Sequence, residues 1–156
     1  MAVFVITLIA LMLAASTAVN AERVYSYRMC PNTDCEVYDM FIDPCPEAQY
    51  NRACAWPENS NTSVAFIYKP EFGAHFPRTQ LYAETFLTDF PFLGINTNAC
   101  LYTSCPVVKD TQQYWLFDLF VPPKKYVKTH YTIKFMLWDI FNNHQQCCFT
   151  FDVKIV

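Results

Sequence analysis

An all-β fold, two antiparallel sheets packed face to face and stapled by disulfides, is predicted by three features of the sequence. Apolar and polar residues alternate in short runs, the runs are punctuated by Pro, Asn, Asp and Cys, and helix signals are weak. The chain of 156 residues is enough for one domain and carries eight cysteines and ten prolines but only two glycines. Its formal charge of −3, from 11 Lys+Arg and 14 Asp+Glu, argues against the clustered basic face that nucleic acid requires. With 53% hydrophobic and 17% aromatic residues, the composition is far from that of disordered chains and supplies a large apolar interior.

Taken in chain order, residues 1–21 carry no charge, and their apolar run 2–15 is shorter than the roughly 20 residues of a membrane span. Val19-Asn20-Ala21 offers small residues at the two positions a signal peptidase reads, so a secretory signal cleaved after Ala21 is expected. Residues 22–156 then form one mature domain outside the cytosol. Strands are expected over 25–29, 36–43, 63–69, 80–88, 113–121, 130–141 and 147–156. In 113–121, Trp115, Phe117, Leu119 and Val121 share one face and Tyr114, Leu116 and Phe120 the other, the mark of a central strand. In 130–141, Ile133, Phe135 and Leu137 oppose Met136, Trp138 and Ile140, and Asp139 breaks the stripe. About seven short antiparallel strands in a chain of this size point to an immunoglobulin-like two-sheet β-sandwich. Face parity makes Trp115, Phe117, Trp138 and Phe149 candidates for its inner wall. Fourteen Phe, ten Tyr and three Trp exceed what one thin inter-sheet layer needs. They either pack a dense aromatic core or line an apolar pocket where the sheets separate.

All eight cysteines lie beyond residue 21, and an even count in a small secreted domain reads as a disulfide framework. Zinc is disfavoured, because the near pairs are not spaced C-x2-C and His75, His130 and His144 keep no ligand spacing to them; no metal or other cofactor is expected. Eight cysteines allow 105 pairings. Locality suggests Cys45–Cys54 and Cys100–Cys105, and Cys30–Cys148 would tie the two ends of the domain, worth about 4–5 kcal/mol in the chain-entropy model. Cys147 shares the inward parity of Phe149, Phe151 and Val153, and Cys35 that of Val37, so these two form an inner fourth bridge or remain as buried thiols.

The frame Cys30…Cys45-Pro46…Cys54…Cys100…Cys105-Pro106…Cys148, with D-P-C-P at 43–46, C-P-V-V-K-D at 105–110 and Trp138 ten residues before the last cysteine, resembles the ML (lipid-recognition) domain family. Within it, the pattern is similar to the Niemann-Pick type C2 branch in the divergent form found in arthropods. The resemblance spans essentially the whole mature chain. It implies a secreted sandwich with a lipid pocket between its sheets, and bridges Cys30–Cys148, Cys45–Cys54 and Cys100–Cys105. It also implies a pocket mouth formed by Phe90-Pro91-Phe92 and by 121–126, with Phe92, Val121, Tyr126 and Pro123 as walls, and a glycan at Asn61 in the sequon Asn61-Thr62-Ser63. The single Pro of the first mouth segment, Phe149 where the family has Trp, and the additional Cys35 and Cys147 depart from the family pattern.

These readings make the protein a monomeric, secreted carrier of a sterol, fatty acid or related small lipid, in extracellular fluid or the endolysosomal lumen. Lys124, Lys125 and Lys128, with His130, form a basic cluster beside the expected mouth that suits an anionic membrane surface. A secreted immune or chemosensory protein that recognises a microbial lipid or a receptor ectodomain would use the same fold. An enzyme is not expected: Ser63 and Ser104 lack a G-x-S-x-G setting, and the histidines lack nucleophile and carboxylate partners in sequence.

Overall fold

A computed structural model describes residues 21–156; the signal segment expected over 1–21 lies, except for Ala21, outside the described residues. Ten strands run through the described residues: β1 (Glu22–Val24), β2 (Arg28–Met29), β3 (Cys35–Asp43), β4 (Cys54–Trp56), β5 (Ser60–Pro70), β6 (Pro77–Ala83), β7 (Phe90–Pro91), β8 (Gln113–Val121), β9 (His130–Asp139) and β10 (Gln146–Ile155). One sheet has the order β1-β3-β5-β8. The other has the order β2-β10-β9-β6-β7, with β4 lying parallel to β10 beyond β2.

All seven expected strands are present, with altered bounds. Of the expected strand 25–29 only Arg28–Met29 forms, as β2; β1 ends at Val24 and pairs with β3 in one sheet while β2 pairs with β10 in the other, so the chain crosses between sheets at Tyr25–Tyr27. Tyr27 marks the crossing by donating its hydroxyl to the Val37 carbonyl at 2.9 Å. β6 stops at Ala83, short of residue 88, where Lys134 gathers Glu84 and Asp89 at 3.0 and 2.6 Å and folds the intervening residues into a loop. β1, β4 and β7, of two or three residues each, are too short for any periodicity to announce.

Alternation dictates the core. Val64, Phe66 and Tyr68 of β5 and Trp115, Phe117, Leu119 and Val121 of β8 point inward from one sheet. Ile133, Phe135 and Leu137 of β9 and Phe149, Phe151 and Val153 of β10 point inward from the other. Phe66 sits at the centre, with ring centres 5.1 Å from Phe135 and 4.9 Å from Phe149 edge-on, and 5.8 Å from Trp115 in a stacked pair. Edge-to-face and offset geometries let the ring quadrupoles attract as well as fill space.

Four bridges join the eight cysteines: Cys30–Cys148, Cys35–Cys147, Cys45–Cys54 and Cys100–Cys105. The question left open for Cys35 and Cys147 is thereby answered, since they form the inner bridge. Cys35 opens β3 and Cys147 lies on β10, so this bridge links the two sheets directly. Cys45, just past the other end of β3, is bound to Cys54 on β4 beside β10. The β3/β10 edge is therefore cross-linked at both ends, while Cys100–Cys105 closes only a local loop with a separation of 5.

Cys30–Cys148 and Cys35–Cys147 close nearly the same loop, with separations of 118 and 112. In the chain-entropy model the first closure is worth about 5 kcal/mol and the second, which then closes only a few residues, about 2 kcal/mol. Replacing Cys35 and Cys147 by Ala is expected to lower the unfolding free energy by about 2 kcal/mol, and removing both bridges by roughly 7 kcal/mol. Guanidinium denaturation of the two variants measures this; equal and additive losses for the two bridges would contradict the shared loop.

Candidate functional site

At one end of the sandwich the C-terminal ends of β6 and β8 meet the N-terminal end of β9. Short β7 pairs with Tyr82 and Ala83, and the next amide, Phe92 N, donates to Leu81 O at 2.8 Å. This extra rung carries the chain inward and buries the Phe92 ring completely. Its centre lies 4.5 Å from Tyr126 and 5.4 Å from Tyr131. Both tyrosines are fixed through their hydroxyls: Leu93 N donates to Tyr126 Oη at 2.7 Å, and Tyr131 Oη donates to Val127 O at 2.9 Å. Leu93 and Gly94 both adopt left-handed φ of 59°, the sharp reversal that returns the chain to the surface. Val121, Ala83 and Ile133, all at 0% exposure, lie among the buried residues at this end.

Of the residues expected to line a site, Phe92, Val121 and Tyr126 lie at this end, Phe92 and Val121 buried and Tyr126 half-buried. Trp115, Phe117 and Phe149 are buried further in, within the aromatic layer. Phe90 and Pro123 are exposed on the rim. Trp138 must be corrected. It stands on the outer face of β9 between Arg78 and Gln146, while the inward parity runs through Ile133, Phe135 and Leu137 and continues at Asp139, which is only 8% exposed. The Asp139 carboxylate accepts amide hydrogens from Phe141 at 2.8 Å and Phe76 at 3.3 Å, so a charged residue fills the inward position where an apolar one was expected. Tyr131, Phe135, Phe66 and Tyr102 were missed. Tyr131 and Phe135 share the parity of Ile133 and were legible on that ground; Tyr102, packed on Trp115 at 5.9 Å, arrives from a loop that no strand pattern covers.

The interior carries almost no charge. Asp139 is the only buried ionisable carboxylate, and no Lys, Arg or His is buried among the described residues. Tyr68 is wholly buried, and that burial pushes its phenol up to about 12, so it stays neutral. Charges gather outside instead. A groove of about 690 Å³ on the outer face of β9 and β10 has mixed walls, with Glu47, Arg52, His130, Asp152 and Lys154 beside Ala55 and Val156. Around the aromatic end, Lys124 and Lys125 are exposed, Lys125 lying 5.6 Å over the Tyr126 ring, whereas Lys128 is paired with Glu58 at 3.5 Å. The adjoining β6–β7 loop presents Phe86 fully exposed, with Leu87 at 89% and Val127 on the β8–β9 loop at 74%. Among the described residues no cluster of His, Cys, Asp and Glu could hold a metal ion.

A family model described as the ML domain matches residues 24–155. The chain belongs to the ML domain family. It is 30% identical over 148 residues to an MD-2-related lipid-recognition protein of Manduca sexta, a match covering 95% of this chain and 94% of that one. Its fold is that of a solved Niemann-Pick type C2 protein from the Japanese carpenter ant, with a TM-score of 0.72 and 17% identity over 85% of this chain and all of that one. A looser likeness, at a TM-score of 0.51 and 10% identity over 86% of this chain and 80% of that one, links it to the C-terminal domain of wzt.

Asp152 illustrates how the outer charges are held. Partial burial tends to raise its carboxyl, but hydrogen bonds from Arg28 at 3.1 Å and Thr132 at 2.8 Å, with the charges of Arg28 and His130, outweigh it and hold the group below the usual carboxylate range. A depressed folded-state value contributes stability that is present above the unfolded value near 3.8 and lost as pH falls through the folded one. Replacing Asp152 by Asn is expected to destabilise the protein at pH 7 and equally at pH 5, by less than about 1 kcal/mol because the pair is exposed. The gap to the wild type should close below pH 4, as measured by thermal melts across pH; a gap constant down to pH 2 would show that the effect is not ionic.

Proposed function

We propose that this ML domain protein is a secreted, non-enzymatic carrier that holds one small apolar lipid between its sheets, entering at the end closed by Phe92, Tyr126 and Tyr131. The observation that carries the reading is the closure itself: a large ring fully buried against Tyr126 of the β8–β9 loop and Tyr131 of β9, in front of an aliphatic and aromatic interior nearly free of charge. A lipid that displaces Phe92 exchanges ring contacts for chain contacts, so the interior is apolar both with and without cargo. Burying about twelve methylenes yields roughly 10 kcal/mol gross. Association and ordering cost ~4 kcal/mol or more, leaving at most about 6 kcal/mol, an affinity of roughly tens of micromolar, which suits a carrier that must release its load. A sterol, a fatty acid or a related lipid satisfies these terms. Four bridges and no free cysteine among the described residues support an extracellular or endolysosomal setting. The exposure of Asn61 at the start of β5, paired in register with Phe120, supports the expected glycan.

Delivery to a membrane follows from the rim. Phe86, Leu87 and Val127 are apolar side chains in loops at the same end, beside Lys124 and Lys125, the combination that an anionic bilayer surface attracts and holds.

The reading is tested by native mass spectrometry of protein secreted from eukaryotic cells, followed by solvent extraction. A stoichiometric sterol or fatty acid is expected, whereas an apo mass unchanged by incubation with either would sink it. Phe92→Ala should weaken binding of a fluorescent sterol or fatty-acid probe by about tenfold or more, since it removes a ring that lines the mouth, while far-UV circular dichroism is preserved. Unchanged affinity would remove Phe92 from the site. Replacing Phe86 and Leu87 by Asp should slow transfer of the probe to anionic vesicles without changing probe affinity; an unaltered transfer rate would leave the membrane contact without its anchor.

A further inference from the structure

Two indole N–H groups in the interior have no acceptor among the described residues, Nε1 of Trp56 and Nε1 of Trp115, and both side chains are wholly buried. Buried donors are nearly always paired, because one left alone has given up its bond to water for nothing. The two differ in position. Trp56 belongs to β4 beside β10, against Phe151, on the cross-linked edge of the sandwich. Trp115 lies on β8, the strand that ends at Val121, six residues and about 20 Å deeper than the mouth.

The surroundings of Trp115 are rings. Phe135 meets it edge to face at 4.9 Å and Phe66 stacks at 5.8 Å, and a ring face is a weak acceptor for an N–H. Two hydroxyl-bearing rings stand 5.9 Å away: Tyr102, whose oxygen accepts from Asn96 N at 3.1 Å, and Tyr68, whose hydroxyl is held to Thr103 Oγ1 at 3.2 Å. Thr103 spends its own hydrogen on Tyr114 O at 2.8 Å, so Tyr68 is the donor of that pair and its oxygen keeps a free lone pair. No cationic side chain is buried here to balance an ionised ligand, which would be stranded at this depth.

We infer that the bound lipid carries a neutral oxygen, a hydroxyl or a carbonyl, at its inner end, and that this oxygen accepts a hydrogen bond from Trp115 Nε1. The inference rests on the carrier reading and gives it a direction: the lipid enters oxygen first, and its hydrocarbon remainder extends back to Phe92. An ionised carboxylate is confined to the mouth, where Lys124 and Lys125 stand.

The test compares 1-dodecanol with dodecane as competitors for a fluorescent hydrocarbon probe, on the wild type, Trp115→Phe and Trp56→Phe. The ratio of alcohol to hydrocarbon affinity should fall roughly fivefold in Trp115→Phe, the value of one neutral hydrogen bond, and stay at the wild-type ratio in Trp56→Phe. In the ¹⁵N-labelled wild type, which needs no substitution in the core, the Trp115 indole N–H resonance should move downfield on adding the alcohol and not the alkane. An unchanged ratio in Trp115→Phe, or a stationary resonance while the alcohol displaces the probe, overturns the inference and leaves the carrier standing. If the wild type binds neither the probe nor either competitor, the carrier reading falls and takes the inference with it.

Discussion

The rest of the structure depends on one layer of rings held between two sheets. Phe66 from one sheet is wedged against Phe135 and Phe149 from the other, with Trp115 stacked alongside, and every one of these rings is at most 1% exposed. Because they come from β5, β8, β9 and β10, the layer fixes how the central strands face one another. It also divides the interior. Toward the mouth the inward residues are mostly aliphatic, Leu119, Val121, Ile133 and Val153, whose shapes tolerate replacement by a hydrocarbon chain better than a stack of rings does.

Charge is sorted just as sharply. The ion pairs Arg28–Asp152, Lys128–Glu58 and Lys134 with Glu84 and Asp89 all lie on the outside, each with at least one partner substantially exposed. Such pairs add little to stability singly, but they pin the loops that frame the mouth: Lys134 holds the β6–β7 loop at its two ends, and Lys128 holds the β8–β9 loop to Glu58. The apolar tips at Phe86, Leu87 and Val127 thus project from loops anchored at their bases.

Much of the fold was legible because a strand buried on one face has a period of two, and β5 and β8 keep that period, whereas β10 is buried on both faces over Cys147–Phe151. The same rule failed at the end of β9, where Asp139 holds an inward position by capping amides, so that Trp138, the more apolar residue, lies outside. It had nothing to say about β4 and β7, which exist only because a neighbour offers a free edge to two or three residues. At the site, Phe92 and Tyr126 came from the family pattern, but their contact did not, since it joins residues 34 apart through loops without periodicity. The unpaired indole of Trp115 was beyond any sequence rule, for a missing acceptor becomes visible only once every neighbour is in place.

The two bridges that join sheet to sheet lie along a single margin, and that has a mechanical meaning. Cys35–Cys147 and Cys45–Cys54 bind the sheets at both ends of β3, whereas at the opposite margin Cys100–Cys105 only closes the loop that runs from Asn98 beside β6 to Thr103 beside β8, and no bridge runs directly from strand to strand. The domain is built like a book with a stitched spine. On the side that carries Phe92, Tyr102 and Tyr126 the sheets meet through ring contacts and the Leu93–Tyr126 hydrogen bond, so parting there would break no disulfide. For the carrier proposed above, admission and release of cargo would share that one margin, with the stitched spine as the hinge.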